Sequence, residues 1–265
     1  MSTSTPCSSA GAERGARAAE RGAGRTLLLT GASRGIGHAT VKIFAEAGWR
    51  VITCARRPFD PNCPWESGRI DHVPVDLADP AATGRAVARV KELIGDGPLH
   101  ALVNNAGISP KTPAGGRLSS VDTPLQTWMD VFHVNFLAPV ILARGLLDNL
   151  VAAGGSIVNL TSIAGTRVHP FAGAAYATSK AALSCLTREM AFDFAPYGVR
   201  VNAIAPGEIR TEILSAETEA HLAPTIPMRR IGTPAEVASV IYFLCSQHAS
   251  YVTGEEVQIN GGQHV

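Results

Sequence analysis

The sequence predicts an α/β fold, in which helices cover both faces of a single doubly wound parallel sheet of about seven strands. Short apolar runs alternate with helical patterns from Arg25 onward, the spacing of repeated strand–helix–strand units. A glycine-rich turn separates the first apolar run from the first helical pattern. No linker interrupts residues 25–265, so one Rossmann-type domain is predicted there. Residues 1–24 are rich in Ser, Ala, Gly and Arg without apolar periodicity and are predicted to be a disordered leader.

Composition excludes several classes of protein. Of the 265 residues 46% are hydrophobic, enough for a substantial core, and the net charge of +1 does not favour nucleic-acid or membrane binding. No apolar run approaches the roughly 18 residues of a membrane-spanning helix. The five cysteines are scattered without C-x-x-C pairing, and the eight histidines lack metal-ligand spacing. The sequence therefore predicts a cytoplasmic protein with free thiols and no metal site.

The first strand–helix units lie between residues 26 and 104. The run Thr26 to Thr30 is short and apolar, as is typical of a strand buried on both faces. The next pattern has helical periodicity and ends at Gly48, a residue suited to a helix C-terminus. The predicted strands are Thr26 to Thr30, Arg50 to Ala55, His72 to Val75 and Leu99 to Asn104, and the predicted helices are Gly35 to Ala47 and Pro80 to Ile94.

The second half of the chain continues this alternation. Two long helical patterns flank a very apolar run that starts at Ser156 and is typical of a buried parallel strand. Proline suits the first turn of the last helix, where a backbone N–H has no partner within the helix. The predicted strands are Ser156 to Thr161, Val199 to Ile204 and Glu256 to Ile259, and the predicted helices are Leu125 to Val151, Ala174 to Ala195 and Pro234 to Ser246.

The turn between the first strand and the first helix predicts a dinucleotide site. Its glycines, spaced G-x-x-x-G-x-G from Gly31 to Gly37, permit a tight turn and a close approach of phosphate to the backbone. The following helix presents free N–H groups and a partial positive charge to a pyrophosphate. The turn lacks the Gly-Lys-Ser/Thr ending of a P-loop, which disfavours ATP. The candidate cofactor-binding residues are Gly31, Ser33, Arg34, Gly35 and Ile36.

The end of the second strand favours NADP(H) over NAD(H). A cofactor with a free ribose 2′-hydroxyl needs a carboxylate near this position, where the sequence has Arg56 and Arg57. Guanidinium groups suit a 2′-phosphate, which they bind through charge-assisted, bidentate contacts. Arg56 is the candidate, and Arg34 can close on the same phosphate from the glycine turn. The alternative is that these arginines are solvated charges and that NAD(H) is used.

Tyr176 and Lys180 lie four residues apart in a helical pattern and therefore project from one face of the helix. A neighbouring ammonium favours the phenolate, so this spacing predicts a lowered pKa for Tyr176 and acid–base chemistry near neutral pH. Ser162 follows a buried strand, and open α/β sheets bind ligands at the carboxyl ends of their strands. Together the three residues predict a catalytic site.

These segments together closely resemble the short-chain dehydrogenase/reductase family. The resemblance covers residues 25–265, and the pattern looks closest to the 3-oxoacyl-acyl-carrier-protein reductases. Several of the motifs are weak individually, but their order and spacing make the combination highly specific. The motifs are Thr30–Gly37, Asp76-Leu77, Asn104-Asn105-Ala106-Gly107, Asn135, Ser162, Tyr176–Lys180, Pro206-Gly207 and Asn260-Gly261-Gly262.

The resemblance implies roles for four catalytic residues. Tyr176 is then the general acid in reduction and the base in oxidation, while Lys180 lowers its pKa and holds the nicotinamide ribose. Ser162 hydrogen-bonds the substrate oxygen as hydride moves to or from the carbon. Asn135 holds a water that connects Lys180 with solvent.

The resemblance also implies the remaining cofactor contacts. The adenine is contacted by the residues that follow the third strand, and its ribose lies beside the turn that follows the fourth strand. The nicotinamide, its carboxamide and a nearby phosphate are contacted by residues that follow the sixth strand. In that order, these residues are Asp76 and Leu77, then Asn104, Asn105 and Ala106, then Pro206, Gly207, Ile209 and Thr211.

The resemblance implies an NAD(P)(H)-dependent oxidoreductase that transfers hydride between nicotinamide and a carbonyl or secondary alcohol, with NADPH-dependent ketone reduction as the main hypothesis. A 3-oxoacyl thioester reductase and an NAD-dependent sugar or polyol dehydrogenase are alternatives. Basic residues are sparse at the ends of the helices after Asn135 and Lys180, although docking of an acidic carrier requires a basic patch. A hypothesis of another class is a non-catalytic, dinucleotide-sensing regulator, which the presence of Tyr176, Lys180 and Ser162 disfavours.

Three segments are expected around the substrate. Residues 108–124 form a longer loop than the family pattern, and the interval Ile163 to Ala175 is also slightly long. The segment Glu208 to Arg230 occupies the position of the family's mobile substrate lid, where apolar residues exclude water during hydride transfer. None of the three identifies the substrate.

The predicted partners are a small-molecule carbonyl or alcohol and further copies of the chain. The two long helices have apolar faces that exceed the needs of one sheet, and the resemblance implies that they pair between subunits as a four-helix bundle. The C-terminal segment Gln258–Val265 is a candidate second contact. The prediction is a homotetramer, with a homodimer as the alternative.

Overall fold

The structure, a computed structural model, describes residues 24–57, 70–210 and 216–265. Within these ranges seven strands form one sheet in which every neighbouring pair is parallel. The predicted leader lies outside the described residues, apart from Gly24. The strands are β1 (Thr26–Thr30), β2 (Arg50–Ala55), β3 (Ile70–Pro74), β4 (Ala101–Asn104), β5 (Ser156–Leu160), β6 (Arg200–Pro206) and β7 (Glu256–Ile259).

Helices cover both faces of this sheet, so the predicted α/β fold class is confirmed. The strand order is β3-β2-β1-β4-β5-β6-β7, which reverses direction at β1 and β4. An open parallel sheet binds ligands at the carboxyl ends of the strands beside such a reversal. The α-helices of the described ranges are α1 (Gly35–Glu46), α2 (Pro80–Ile94), α3 (Leu125–Phe132), α4 (Ala138–Gly145), α5 (Leu147–Ala153), α6 (Ala174–Phe194), α7 (Ala216–Leu222) and α8 (Pro234–Cys245).

The core consists of two apolar layers, one on each face of the sheet. Successive side chains of a strand point to opposite faces, and β1 shows this alternation. Leu28 lies in the cluster covered by α2, α4 and α5, whereas Leu27 and Leu29 lie in the cluster covered by α1 and α8. All three are 0% exposed, which explains why β1 is a continuous apolar run in the sequence.

The predicted helix Leu125 to Val151 is divided into α3, α4 and α5. A π-helical turn at His133–Leu137 joins α3 to α4, and Leu146 ends α4 with non-helical dihedrals (φ −112°, ψ 12°). The apolar periodicity continues across both interruptions because the same face packs on the sheet. Periodicity therefore predicted the helical region but not the breaks within it.

No single helix in the described ranges is long and apolar enough to cross a membrane. The consecutive segments Leu125–Gly145 and Leu147–Ala153 pass the length and composition criteria together but are bent by 63°. Leu142, Leu146 and Leu150, which are 0% exposed, place this bent pair in the core of the protein.

The predicted lid contains a helix that the sequence analysis did not identify. Helix α7 begins at Ala216, and Leu222, Ile226 and Ile231 form a small apolar cluster after it. The guanidinium of Arg210 binds the carboxylate of Glu219, with Nε 3.0 Å from Oε2. The cofactor candidate Thr211 lies outside the described residues.

Candidate active site

The glycine turn is held against the end of β4 by one amide side chain. Asn105 Nδ2 donates hydrogen bonds to the carbonyl oxygens of Thr30 (2.9 Å) and Gly31 (2.7 Å). Gly31 has φ +70°, a conformation that favours glycine. A Cβ on Gly37 would lie only 2.1 Å from the Gly31 oxygen, so α1 approaches the turn this closely only because residue 37 is glycine. The Thr30 hydroxyl completes the contact by accepting from Ala106 N at 3.0 Å.

The start of α1 has the properties of an anion site. Its N-cap residue, Arg34, is extended and makes no side-chain capping bond, and the first turn carries no acidic residue. The first N–H groups of the helix therefore have no side-chain cap, and the helix dipole adds positive potential. Ser33 and Arg34 are exposed, while Ile36 packs against the core below. This cradle of close glycines and uncapped donors fits the pyrophosphate of a dinucleotide.

Three guanidiniums stand around the expected adenosine position. Arg34 follows the glycine turn, and Arg56 and Arg57 follow β2; all three are exposed. Across residues 24–57, 70–210 and 216–265, no carboxylate forms an ion pair with any of them. These unpaired charges are free to bind an anionic group.

The residues after β3 form one wall of a cavity. Asp76 is exposed and accepts a hydrogen bond from Ala78 N at 3.0 Å, whereas Leu77 is 6% exposed and belongs to the core. A cavity of about 700 Å³ lies beside Asp76, lined also by Arg56 and by the face of α2 that carries Arg85. The side chain of Asp76 therefore lies at this cavity, and that of Leu77 supports the strand end beneath it.

The side chain of Asn104 points into the protein. It is 2% exposed, and its Nδ2 donates to Asn159 Oδ1 of β5 at 2.8 Å. Asn159 Nδ2 in turn donates to Thr187 of α6 at 2.9 Å. These bonds fix β4 and β5 to the helix that carries Tyr176.

The three catalytic candidates at the end of β5 and on α6 lie together. Ser162 follows β5 and caps a 3₁₀ turn by accepting from Ala164 N at 3.2 Å. Its side chain lies close enough to the phenol of Tyr176 to lower the pKa of that group. Lys180 lies one helical turn further, 3% exposed, and its Nζ donates to Leu160 O at 2.6 Å. That Nζ is 5.7 Å from the centre of the Tyr176 ring.

The predicted lowering of the Tyr176 pKa is wrong for this structure. Burial raises the pKa of Tyr176, and the Ser162 side chain lowers it by less than burial raises it. Burial also lowers the pKa of Lys180, to about 8. The Lys180 ammonium is directed at a strand carbonyl and is itself desolvated, so at this distance it does not overcome the desolvation of the phenol.

Asn135 lies in the π-helical turn and is 0% exposed. Its side chain pairs with Ile108, accepting from the backbone N at 2.9 Å and donating to the backbone O at 3.1 Å. Nδ2 also donates to Ser179 Oγ at 2.9 Å. A Cβ on Gly107 would lie 3.3 Å from Lys180 Nζ and 3.5 Å from Asn135 Oδ1, so these residues close around one point.

The turn after β6 is packed against the C-terminal segment. Gly207 N donates to Ile259 O of β7 at 3.0 Å, and a Cβ on Gly207 would lie 2.3 Å from Gln263 Oε1. Gln263 is 7% exposed and accepts from Glu208 N at 3.2 Å. The sequence analysis did not identify Gln263, because no local signal connects residues this far apart in the chain. Pro206 is buried, and Ile209 packs beside Gly232.

The two segments that depart from the family pattern bind each other. Residues 111–117 form a hairpin with an isolated antiparallel bridge between Lys111 and Arg117. Lys111 Nζ donates to the carbonyl oxygen of Phe171, and Arg117 Nε donates to Ala172 O at 2.9 Å. The longer loop after β4 is therefore fastened to the longer interval after Ser162.

The same interval also reaches the turn after β6. His169 Nε2 lies 2.9 Å from Glu208 Oε1, with the two side chains 12% and 18% exposed. Arg167 donates to Gln263 O at 2.6 Å. Residues 163–173 thus contact the loops that follow β4 and β6 and the C-terminal segment.

Comparison with known proteins agrees with this geometry. A family model described as Enoyl-(Acyl carrier protein) reductase matches residues 31–264. The chain belongs to the short-chain dehydrogenase/reductase family. Membership in this family makes the chain an oxidoreductase that acts on CH–OH or C=O groups with a nicotinamide cofactor.

The chain is similar to two curated relatives and one solved structure, among others. Protein FixR of Bradyrhizobium diazoefficiens is 65% identical over 247 residues, covering 93% of this chain and 89% of FixR. The 3-oxoacyl-acyl-carrier-protein reductase FabG of Aquifex aeolicus is 34% identical, with 90% and 97% covered. A short-chain dehydrogenase/reductase of Brucella ovis in complex with a partially ordered NAD is 59% identical, with a TM-score of 0.75 and 89% and 99% covered.

Proposed function

We propose that the protein reduces a ketone with NADPH, using Ser162, Tyr176 and Lys180 at the carboxyl edge of the sheet. The observation that carries this proposal is the placement of the Ser162 side chain beside the Tyr176 phenol, next to a buried Lys180. It positions a proton donor and a second hydroxyl on one substrate oxygen. The glycine cradle at the start of α1 lies at the end of β1, on the same edge of the sheet and separated from β5 by β4, where a dinucleotide fits.

Each catalytic residue has a separate task in this proposal. Ser162 hydrogen-bonds the carbonyl oxygen, and Tyr176 donates its proton to that oxygen as the carbon is reduced. Burial raises the pKa of Tyr176, so the phenol holds its proton until negative charge develops on the substrate oxygen. Lys180 holds the ribose and returns a proton to Tyr176. Asn135 fixes Ile108 and Ser179 around Lys180 and holds the water that connects it with solvent.

The nicotinamide dinucleotide, when bound, supplies or accepts the hydride. In the proposal Gly31, Ser33, Gly35 and the start of α1 would hold its pyrophosphate, and Arg34 and Arg56 would hold its 2′-phosphate. Support for NADP(H) comes from the arginines at the end of β2 and in the glycine turn, which form no ion pair with a carboxylate within the described ranges. The remaining proposed contacts are those of Ile36, Asp76, Leu77, Asn104, Asn105, Ala106, Pro206, Gly207, Ile209 and Thr211.

Titration of the purified protein with NADPH and NADH, followed by a panel of carbonyl substrates, tests both parts of the proposal. We expect tighter binding of NADPH, and Arg56→Ala should weaken NADPH much more than NADH. Equal effects on the two cofactors contradict the 2′-phosphate assignment. Tyr176→Phe should lower turnover by about 10²- to 10⁴-fold with little change in cofactor affinity.

The same measurements separate two other hypotheses. The family-model description and the 34% identity with FabG favour a 3-oxoacyl thioester as a second candidate substrate. Turnover of 3-oxoacyl thioesters in preference to simple ketones supports that candidate. Cofactor binding without turnover of any carbonyl, together with an unchanged biological effect of Tyr176→Phe, supports a dinucleotide-sensing regulator instead. An NAD-dependent sugar or polyol dehydrogenase predicts oxidation of alcohols with NAD.

We also propose that the protein is a cytoplasmic homotetramer. Leu125 of α3 and Phe192 of α6 are 80% and 81% exposed, and exposed apolar side chains mark an interface where they form a contiguous patch. Pairing of these helices between subunits covers both residues. The C-terminal segment is a weaker candidate contact, because Asn260 and Gln263 are buried within the chain itself. Sedimentation analysis distinguishes a tetramer from the alternative dimer.

A further inference from the structure

Three ionisable side chains lie in three successive loops at the carboxyl edge of the sheet, where the catalytic candidate Ser162 also lies. Lys111 lies in the loop after β4, His169 in the loop after β5, and Glu208 in the turn after β6. These strands are adjacent in the sheet, so their carboxyl ends share one edge. Ser162 lies just after the middle strand, and Gly207 precedes Glu208. The pair of His169 and Glu208 therefore connects the loop that begins at Ser162 with the turn that carries the proposed nicotinamide contacts Pro206 and Gly207.

The imidazole ring of His169 has a partner at each nitrogen. Its Nδ1 lies 3.3 Å from Phe171 N, and its Nε2 lies 2.9 Å from Glu208 Oε1. The ring therefore holds one oxygen of the carboxylate in place. No donor within residues 24–57, 70–210 and 216–265 binds the second oxygen of Glu208, which is free to accept a hydrogen bond.

Lys111 supplies the opposite charge. Lys111 is exposed, and desolvation lowers its pKa by more than the charge of Glu208 raises it. The ammonium donates to the Phe171 carbonyl oxygen and keeps two further N–H groups. Lys111 and Glu208 therefore offer unused donors and an unused acceptor from two loops of the same sheet edge.

We propose that Lys111, His169 and Glu208 form a specificity site for the hydroxyl groups of a neutral, polyhydroxylated ketone or alcohol. The inference rests on the proposed function and adds the class of substrate. Hydroxyl groups donate to the free oxygen of Glu208 and accept from Lys111. An apolar chain satisfies neither group, and a site built to bind hydroxyls discriminates strongly against substrates that lack them.

The site also disfavours the thioester alternative. A carrier-bound acyl substrate brings an acidic protein and an anionic phosphate to the mouth of the cleft, where Glu208 repels them. It also places an apolar acyl chain beside a partly buried carboxylate, which is costly to desolvate without a partner. A neutral polyol avoids both costs.

Erythrulose and butan-2-one form a matched pair of probes, since they share a four-carbon ketone skeleton and differ in three hydroxyl groups. For the full-length protein with NADPH we expect a higher kcat/KM for erythrulose. Glu208→Gln keeps an oxygen for His169 Nε2 and replaces the free acceptor by an N–H donor. It should lower the erythrulose-to-butanone ratio of kcat/KM by about 10- to 100-fold, mainly through KM.

Arg167→Gln is the control variant, because Arg167 anchors the same loop to Gln263 O without contacting Glu208. Its erythrulose-to-butanone ratio should stay within about threefold of the wild-type ratio. The proposal is overturned by an unchanged ratio in Glu208→Gln, by the same loss in Arg167→Gln, or by wild-type protein that prefers butanone. Absence of turnover on every carbonyl, in contrast, contradicts the proposed function itself.

Discussion

Two parts of the site are held together in different ways: the cofactor half, at the glycine turn, and the mouth, formed by residues 108–124 and 163–173. At the glycine turn, backbone atoms of β1, α1 and the β4 turn are in direct contact, and a Cβ on Gly31 would lie 2.8 Å from Ala106 Cα. At the mouth, long polar side chains such as Arg117 and Lys111 connect loops across open surface. At the glycine turn several positions accept only glycine. At the mouth most positions accept many residue types.

This difference explains which half a sequence motif can describe. A backbone contact that only glycine permits leaves a fixed residue at a fixed position, which is visible without a structure. A bond from an arginine to a carbonyl oxygen leaves no such trace, since any residue has a carbonyl. The cofactor half should therefore tolerate substitution poorly and the mouth should tolerate it well.

The largest effect is expected for Gly37→Ala. The new Cβ would lie 2.1 Å from Gly31 O and 2.5 Å from Asn105 Nδ2, so α1 and the glycine turn must separate. Overpacking against the backbone of Gly31 on one side and the hydrogen-bonded amide of Asn105 on the other should cost about 3 kcal/mol of the free energy of unfolding. We expect denaturant titration to show this loss and fluorescence titration to show no measurable cofactor binding.

Gly84→Ala is the matched control. Gly84 lies within α2, is exposed, and a Cβ there meets nothing within 4 Å. Alanine in a helix interior is more favourable than glycine by about 0.5–1 kcal/mol, so this variant should be more stable than the wild type. If Gly37→Ala were as stable as Gly84→Ala, this result would contradict the close contact of α1 with the glycine turn.

The fold followed from patterns that are local in the sequence. The apolar run of β1 and the helical period of α2 each depend on neighbouring residues, so their bounds were predicted to the residue. Strand β4 begins at Ala101 rather than at Leu99, because Leu99 N bonds to Asn149 O of α5 and not to a strand. Such differences at element ends arise from partners distant in sequence.

The candidate site was predictable only where a motif exists. Ser162, Tyr176 and Lys180 are brought together as the sequence predicted. The direction of the Tyr176 pKa shift, in contrast, was predicted wrongly. Spacing on a helix shows that a lysine is near but does not show how deeply the phenol is buried. His169 and Glu208 are 39 residues apart in sequence, and no periodicity connects them.

Lys180 belongs to the tightly packed half and should show it in the pH dependence of stability. Burial lowers its pKa to about 8 in the folded protein, from a usual value of 10.5 in the unfolded chain. The unfolded chain thus binds more protons between these values, and the free energy of unfolding rises with pH across this window. Relative to Lys180→Met, the wild type should gain up to about 3 kcal/mol from pH 8 to 10.5.

Denaturant titrations of both proteins at several pH values measure this difference. Lys42→Met is the control, because the side chain of Lys42 is 64% exposed. The free energy of unfolding of this variant should change with pH in the same way as that of the wild type. A wild-type curve parallel to that of Lys180→Met from pH 8 to 10.5 would show that the ammonium is well solvated. Lys180 would then be no more desolvated than the exposed charged side chains of the mouth.

The smallest effect is expected for Arg117→Gln at the mouth. This removes the bond to Ala172 O, one of several contacts between the hairpin and residues 163–173. Because Arg117 is exposed, the free energy of unfolding should fall by no more than about 1 kcal/mol. Hydrogen exchange should instead quicken locally at Ala174 N, which bonds to Leu118 O, and remain unchanged at Ala106 N.

Arg89→Gln is the control, since Arg89 pairs with Glu92 on the exposed face of α2, away from the mouth. It should leave exchange at both amides unchanged. If Arg117→Gln quickens exchange at Ala174 and Ala106 equally, the two halves open as one cooperative unit. The hairpin at residues 111–117 would then belong to the same cooperative unit as the glycine turn, although it lies in a loop that is longer than the family pattern.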